Sequence, residues 1–510
     1  MTSFRAFALT VGGLAILVAS ARGQGSIDLK PYRLNPEPMP GDALSKMLDL
    51  RSGKVRTTGP ALEANKKLFR NVAEWHVYAA TFEPYYAVQD TGELKPKSTD
   101  PKLNFDSFLS DFASLILVPA VDTKPVFTPD QADYINYFGS ALDAAFRQVW
   151  AKNPPSVIRV SSGRMFVLAA RSGAPSFAKT ITELLKNQHY KAKDGKPVET
   201  PADLLLYAIK AAESLLAAYD PLATNRPEPS NHRHTVPEAE LVALIQVLDD
   251  FVVKGPPVAD KAALLNPDQP AKPLAIEVEP KSPMPKDPVA PTPANKLEPK
   301  GLSPEQIALV RYYRRQAVRA LAKVRFDSIG GEGIPRVRPA FTLARVAVRD
   351  AAISPAPNAS EIAEAVIGLC GMFPTRDLKI EEMGVAIATG VSLLVRFNAD
   401  DRSRILDNPQ SKMLVPWKLT AARLSVAIAG LKRGTQTNGR LRGAAAMVNA
   451  LCDSVLADLV MPLESETTGS AQPGTERIGR WIEQYLPKDG SRSLFEDDPK
   501  FKLNPSQVGN

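Results

Sequence analysis

The chain has 510 residues, 44% of them hydrophobic and 23% charged, which excludes a chain disordered throughout and fits two to four globular domains. Its 63 basic against 55 acidic residues give a net charge of +8, a balance that permits an anionic partner and requires none. Two cysteines are too few for a disulfide scaffold, and proline, at 45 residues, is the compositional outlier.

Residues 1–21 read as an export signal. One cation, Arg5, precedes an uncharged apolar run from Ala6 to Ala19, and Ala19-Ser20-Ala21 supplies the small residues of a cleavage site. The run is short for a permanent membrane span; the alternative is an uncleaved N-terminal anchor. A periplasmic or extracellular location is expected, with no transmembrane segment once the signal is removed.

Residues 40–255 are expected to form an N-terminal helical domain, with helices near 59–80, 105–117, 128–152, 155–171, 175–187, 200–219 and 236–253. Thr128-Pro129-Asp130-Gln131 offers a hydroxyl to cap a helix, a proline at its first position and an amide that reaches back. Thr200-Pro201-Ala202-Asp203 repeats the device, with Asp203 in the reaching role. Ser176 and Lys179 match the S-x-x-K spacing of penicillin-interacting serine enzymes, but the Lys-Thr-Gly strand those enzymes need is not visible. "NHRH" at 231–234 puts two imidazoles in a loop without the i,i+4 spacing of a zinc pair, so no metal site is expected.

Residues 256–302 are expected to be a flexible but semi-stiff linker. Ten prolines fall within the 33 residues from Pro267 to Pro299, a density that neither helix nor sheet survives. The best strand candidate in the chain, Leu274–Glu279, sits in this segment and is rejected for that reason.

Residues 303–487 are expected to form a C-terminal helical domain, followed by a loose tail over 488–510. Ser303-Pro304-Glu305-Gln306 opens it with the same capping signature. Helices are expected near 303–326, 339–353, 358–373, 379–397, 417–433, 439–460 and 475–486. The fold class is therefore all-α, two helical domains of bundle or HEAT-like helical-pair type. The runs from Arg164 and from Arg345 share a loose helix–turn–helix shape, without a fixed repeat period.

Chemistry is sparse in this half. "GGEGIP" at 330–335 lacks the strand–loop–helix setting of a phosphate cradle and reads as a flexible turn. Glu381-Glu382 and Asp400-Asp401 are adjacent pairs that do not face each other on a helix, and the second pair reads as a helix end or loop. The run from Arg311 to Phe326 interleaves basic residues with tyrosines, a pattern able to grip a polyanion, but Tyr313, Val318, Leu321 and Phe326 read as a core stripe and the arginines mostly as a wet face. Cys370 and Cys452 lie on apolar stripes; they read as core thiols, or as a bridge worth a few kcal/mol if the compartment is oxidising.

The electrostatic feature that stands out is the segment from Asp407 to Asp453, which has no acidic residue between its ends. Lys432 and Arg433 close one helix there, while Arg440 and Arg442 open the next, where the helix dipole disfavours cations. These four residues are the candidate anion-binding site. An exported, non-catalytic binding or scaffold protein of the bacterial cell envelope is the expected function, with no cofactor and an anionic envelope polymer or another envelope protein as partner. Nucleic acid is not expected for an exported chain. The alternative is an envelope enzyme, a glycan-directed hydrolase or lyase whose active site is dispersed in sequence.

Overall fold

The computed structural model describes residues 41–81, 86–88, 94–96, 105–116, 128–187, 190–191, 197–218, 236–255, 303–331, 333–375, 377–408, 410, 414–464, 476–485, 493–495 and 502–503. The export signal, the proline-dense segment with Leu274–Glu279, the 231–234 loop and most of the tail lie outside them. The described residues are mostly helical and group by contact into one unit ending at Val236 and another beginning at Pro237.

The N-terminal unit contains α1 (Ala43–Arg51), α2 (Leu62–Ala79), α3 (Phe105–Ile116), α4 (Pro129–Trp150), α5 (Ser156–Ala170), α6 (Ser176–Leu185) and α7 (Ala202–Ala218). Helix α4 begins with the expected capping box: Thr128 Oγ1 accepts from Gln131 N at 3.2 Å and Gln131 Oε1 from Thr128 N at 2.9 Å. It then serves as the spine on which α1, α2 and α6 pack, while α5 and α6 pack on α7. The core is aromatic, with Phe166 edge-on to Trp150 at 5.0 Å and to Phe177 at 5.4 Å. The indole N–H of Trp150, sealed from water, donates to Ser162 Oγ at 2.9 Å.

The second expected capping box, at Thr200, does not form. Asp203 instead takes Arg159 Nε at 2.8 and 3.1 Å and Ser156 Oγ at 2.7 Å, pairing α5 to α7. Thr200 donates its hydroxyl to Leu184 O at 2.7 Å. A nearly buried guanidinium outcompetes a helix cap for the carboxylate, because leaving the buried charge unpaired would cost more.

The C-terminal unit contains α8 (Glu238–Lys254), α9 (Pro304–Leu321), α10 (Pro339–Ala347), α11 (Ala359–Cys370), α12 (Ile380–Asp407), α13 (Trp417–Thr437), α14 (Gly439–Gly443), α15 (Ala445–Val455), a π turn (Leu456–Val460), α16 (Met461–Glu464) and α17 (Glu476–Tyr485). Helix α8, which the sequence places in the domain 40–255, packs on α9 and α10. Helix α11 is the centre: α9, α10, α12 and α13 all pack on it. Its start is a third capping box, Asn358 with Glu361, that the sequence reading missed.

Helix α12 runs ten residues past its expected end at 397, to Asp407. Asp401 is consequently not in a loop. It is buried in the second-last turn of the helix, where it accepts from Trp417 Nε1 at 3.0 Å and Leu414 N at 3.0 Å and so pins the start of α13 to α12. Its pKa stays low: burial works to raise it, but hydrogen bonds from Arg404, Trp417 and Leu414 and the charge of Arg404 outweigh that.

Strands are minor, in three antiparallel pairs: β1 (Tyr86–Val88) with β2 (Leu94–Pro96), β3 (Tyr190–Lys191) with β4 (Pro197–Val198), and β5 (Ile329–Gly331) with β6 (Ile334–Val337). The last pair falls in the "GGEGIP" stretch read as a flexible turn, with Ile329 opposite Val337 and Gly331 opposite Ile334. Gly330, at φ +103°, is needed there, since a Cβ would lie 2.4 Å from Pro335 O.

Candidate anion-binding face

Helix α13 is positioned by Trp417 at its start and by a buried stripe of Ala421, Leu424, Ile428 and Leu431. That register turns Arg423 toward α11. There it meets Glu364, which is nearly buried in the middle of α11. Arg423 Nη1 donates to Glu364 Oε1 at 2.9 Å and Nη2 to Oε2 at 2.6 Å, a bidentate fork. From the other side, Arg315 Nη2 of α9 donates to Oε1 at 3.1 Å.

Burial acts to raise the pKa of Glu364. The hydrogen bond from Arg423 and the charges of Arg423, Arg319 and Arg315 together outweigh it and hold the carboxyl below its ordinary value. One carboxylate therefore lies among three guanidinium groups, two on α9 and one on α13. Arg315 and Arg423 are both part-exposed, and Tyr312 stands exposed one residue from Arg311 on α9. The Nε of Arg315 is buried with no hydrogen-bond partner.

Three of the four cations named from sequence have partners of their own. Lys432 pairs with Asp453 at 2.7 Å, the acid that ends the acid-free segment. Arg440 donates to Leu378 O at 3.2 Å and Arg442 to Gln436 O at 2.5 Å, while Arg433 is exposed. The expected single helix from 439 is broken after one turn at Ala444, and its first amides are already capped, since Asn438 Oδ1 accepts from Arg440 N and Leu441 N. The sequence located the basic segment but not its counter-charges, which come from α11 and α15 and leave no local pattern.

The remaining sequence candidates are placed as follows. Ser176 Oγ is buried at the start of α6 while Lys179 is exposed. Cys370 and Cys452 are buried free thiols. Burial raises the pKa of Cys370, with a contribution from nearby Cys452, and pushes that of Cys452 up to about 12, so both are protonated at neutral pH. Among the described residues no group of three or more His, Cys, Asp or Glu is arranged to hold a metal. The stretch Ala445–Leu463 has the length and composition of a membrane-crossing helix; half of it is buried in the fold, against α12 and α13. Arg314 is the exception to the mostly wet face of the basic run: it is fully buried and paired with Glu361.

Comparisons with protein-family models, with curated proteins and with solved structures found no match to the chain.

Proposed function

We propose that the chain is an exported, non-catalytic helical binding or scaffold protein of the bacterial cell envelope, and that its C-terminal unit binds an anionic partner. The observation that carries the binding reading is the cluster on Glu364: three arginines from α9 and α13 share one buried carboxylate, and two of them remain part-exposed. Guanidinium groups already held by a buried carboxylate lose little conformational entropy when they add an anionic ligand. Export is supported by the leader-like residues 1–21, and a scaffold role by the proline-dense segment between two helix-rich regions.

Four interior carboxylates that join helices fit a non-catalytic role. Glu361, Glu364, Asp401 and Asp203 each tie one helix to another, and each is engaged by arginine or tryptophan in doing so.

The test is salt elution of the chain from an immobilised sulfated polysaccharide. Arg315→Gln with Arg319→Gln is expected to elute at lower salt, with its helical circular dichroism unchanged, because the cation count falls while Arg423 keeps Glu364 paired. Arg440→Ala with Arg442→Ala is expected to shift elution in the same direction. Identical elution of wild type and both variants overturns the binding reading.

A further inference from the structure

Helix α13 is apolar on two opposite sides. One carries the buried stripe from Trp417 to Leu431. The other carries Leu419, 60% exposed, and Val426, 68% exposed, with Ala422 and Ala429 beside them in the open. Leu414, just before the helix, is 75% exposed. Residues at i, i+3, i+7 and i+10 share one face, so these four side chains form a continuous stripe about three turns long. Large apolar residues scattered singly on a surface need no explanation; a row of them on one helix face does.

The rim of that stripe is cationic. Arg423 lies four residues after Leu419 and three before Val426, so the arginine cluster on Glu364 borders it directly. Lys418 is exposed beside Leu419, Arg433 continues the stripe one turn beyond Ala429, and Arg440 and Arg442 are exposed past its end. The segment from Asn408 to Cys452 contains no acidic residue, and Glu364 and Asp453, which reach two of its cations, are each held in an ion pair.

An apolar stripe bordered by cations matches the boundary between the acyl chains and the anionic headgroups of a bilayer. A second copy of the chain fits it worse. An isologous contact along α13 would set Lys418 and Arg433 of one protomer against the same residues of the other, cation against cation. We therefore propose that the outer face of α13, flanked by Lys418, Arg423 and Arg433, docks on an anionic lipid bilayer surface. The proposal rests on the anion-binding reading above and names its partner.

The experiment is co-sedimentation of the full chain with vesicles of phosphatidylcholine, and of phosphatidylcholine mixed with phosphatidylglycerol. Arg5 and the apolar run Ala6–Ala19 are the same in wild type and variant, so the signal is the difference between those two proteins on each kind of vesicle. Wild type is expected to bind the anionic vesicles at least about tenfold more tightly. Leu419→Ser with Val426→Ser, at exposed positions where the fold survives, is expected to lose about tenfold of that binding. Its salt elution from the sulfated polysaccharide should be unchanged. Equal binding to both vesicle types overturns the proposal, as does full binding by the serine variant. So does a wild-type dimer in sedimentation velocity that the serine variant dissolves. Retention on the polysaccharide without vesicle binding sinks the bilayer and leaves the anion-binding reading standing; loss of polysaccharide retention in wild type sinks that reading itself.

Discussion

Arg314 and Glu361 are both 0% exposed and face each other across α9 and α11, Nε to Oε1 at 2.5 Å and Nη2 to Oε2 at 3.2 Å. Glu361 also accepts from Asn358 N at 2.7 Å, so one carboxylate both caps α11 and neutralises a core charge. The Nη1 of Arg314 is left without a partner, so the pair is not fully satisfied. Removing one member strands the other charge in the interior. Glu361→Gln is expected to cost about 3–5 kcal/mol in denaturant unfolding, whereas Glu361→Gln combined with Arg314→Met should cost clearly less than the sum of the single changes. A single-variant cost under about 1 kcal/mol would show that the charges are not paired in the core.

His76 sets the acid limit of the N-terminal unit. Its Nδ1 lies 2.7 Å from Val72 O, and its ring packs against Phe108 and Phe112 at 5.8 and 5.6 Å. Burial drives its pKa down to about 4, against smaller opposing effects from the Val72 carbonyl and Asp111. The folded value is depressed, so the unfolded chain takes up the proton first as pH falls. Stability is full above about pH 6.5 and is lost between there and pH 4, by up to about 3 kcal/mol. Thermal melting of His76→Gln, which keeps a donor for Val72 O, should show a flatter slope across that window. An unchanged slope means that the imidazole is solvated.

The helices were largely legible because apolar spacing and capping residues are local signals: the box at Thr128 and the box at Ser303 form as written. What was not legible was non-local. Nothing near Thr200 shows that Arg159, 44 residues away, will claim Asp203. Nothing near Asp401 shows that the indole of Trp417 will bury it inside a helix. The basic segment around α13 could be read as charge, but the counter-charge at Glu364 lies 59 residues before Arg423 and is visible only once α11 and α13 are packed. Helix α1 was missed because no side chain caps it and its apolar spacing is weak.

Asp249 gives the C-terminal unit the opposite pH dependence. Its Oδ1 is sealed from water without a partner, although the residue as a whole is only half-buried. Burial raises its pKa to about 7; a hydrogen bond from Thr342 and the charge of Arg345 work against this, and the charge of Asp250 adds to it. With the folded value above the unfolded one, the folded state holds a proton that the unfolded state has released. The associated stability is fully present below about pH 4 and is lost as pH rises through 7. Allowing for water at the half-exposed residue, the loss is on the order of 2 kcal/mol. Asp249→Asn, whose amide oxygen still accepts from Thr342, should melt higher than wild type above pH 7 and match it near pH 4. Parallel curves for the two proteins would show that the carboxyl titrates normally.

Two glycines inside helices make opposite predictions from the same substitution. At Gly163 on α5, a Cβ would lie 2.6 Å from the ring carbons Cγ and Cδ2 of Tyr207 on α7 and 2.9 Å from its Cβ. Those atoms sit near the backbone of α7 and cannot swing away, so α5 and α7 must separate. Overpacking of this kind costs about 1–3 kcal/mol, against roughly 1 kcal/mol gained from alanine's better helix propensity. Gly163→Ala is therefore expected to destabilise the N-terminal unit. Gly430 on α13 has nothing within 4 Å of its would-be Cβ, so Gly430→Ala keeps the propensity gain and should raise stability by about 0.5–1 kcal/mol. Denaturant midpoints moving in the same direction for both variants would mean that helix propensity, and not the contact with Tyr207, decides the effect at Gly163.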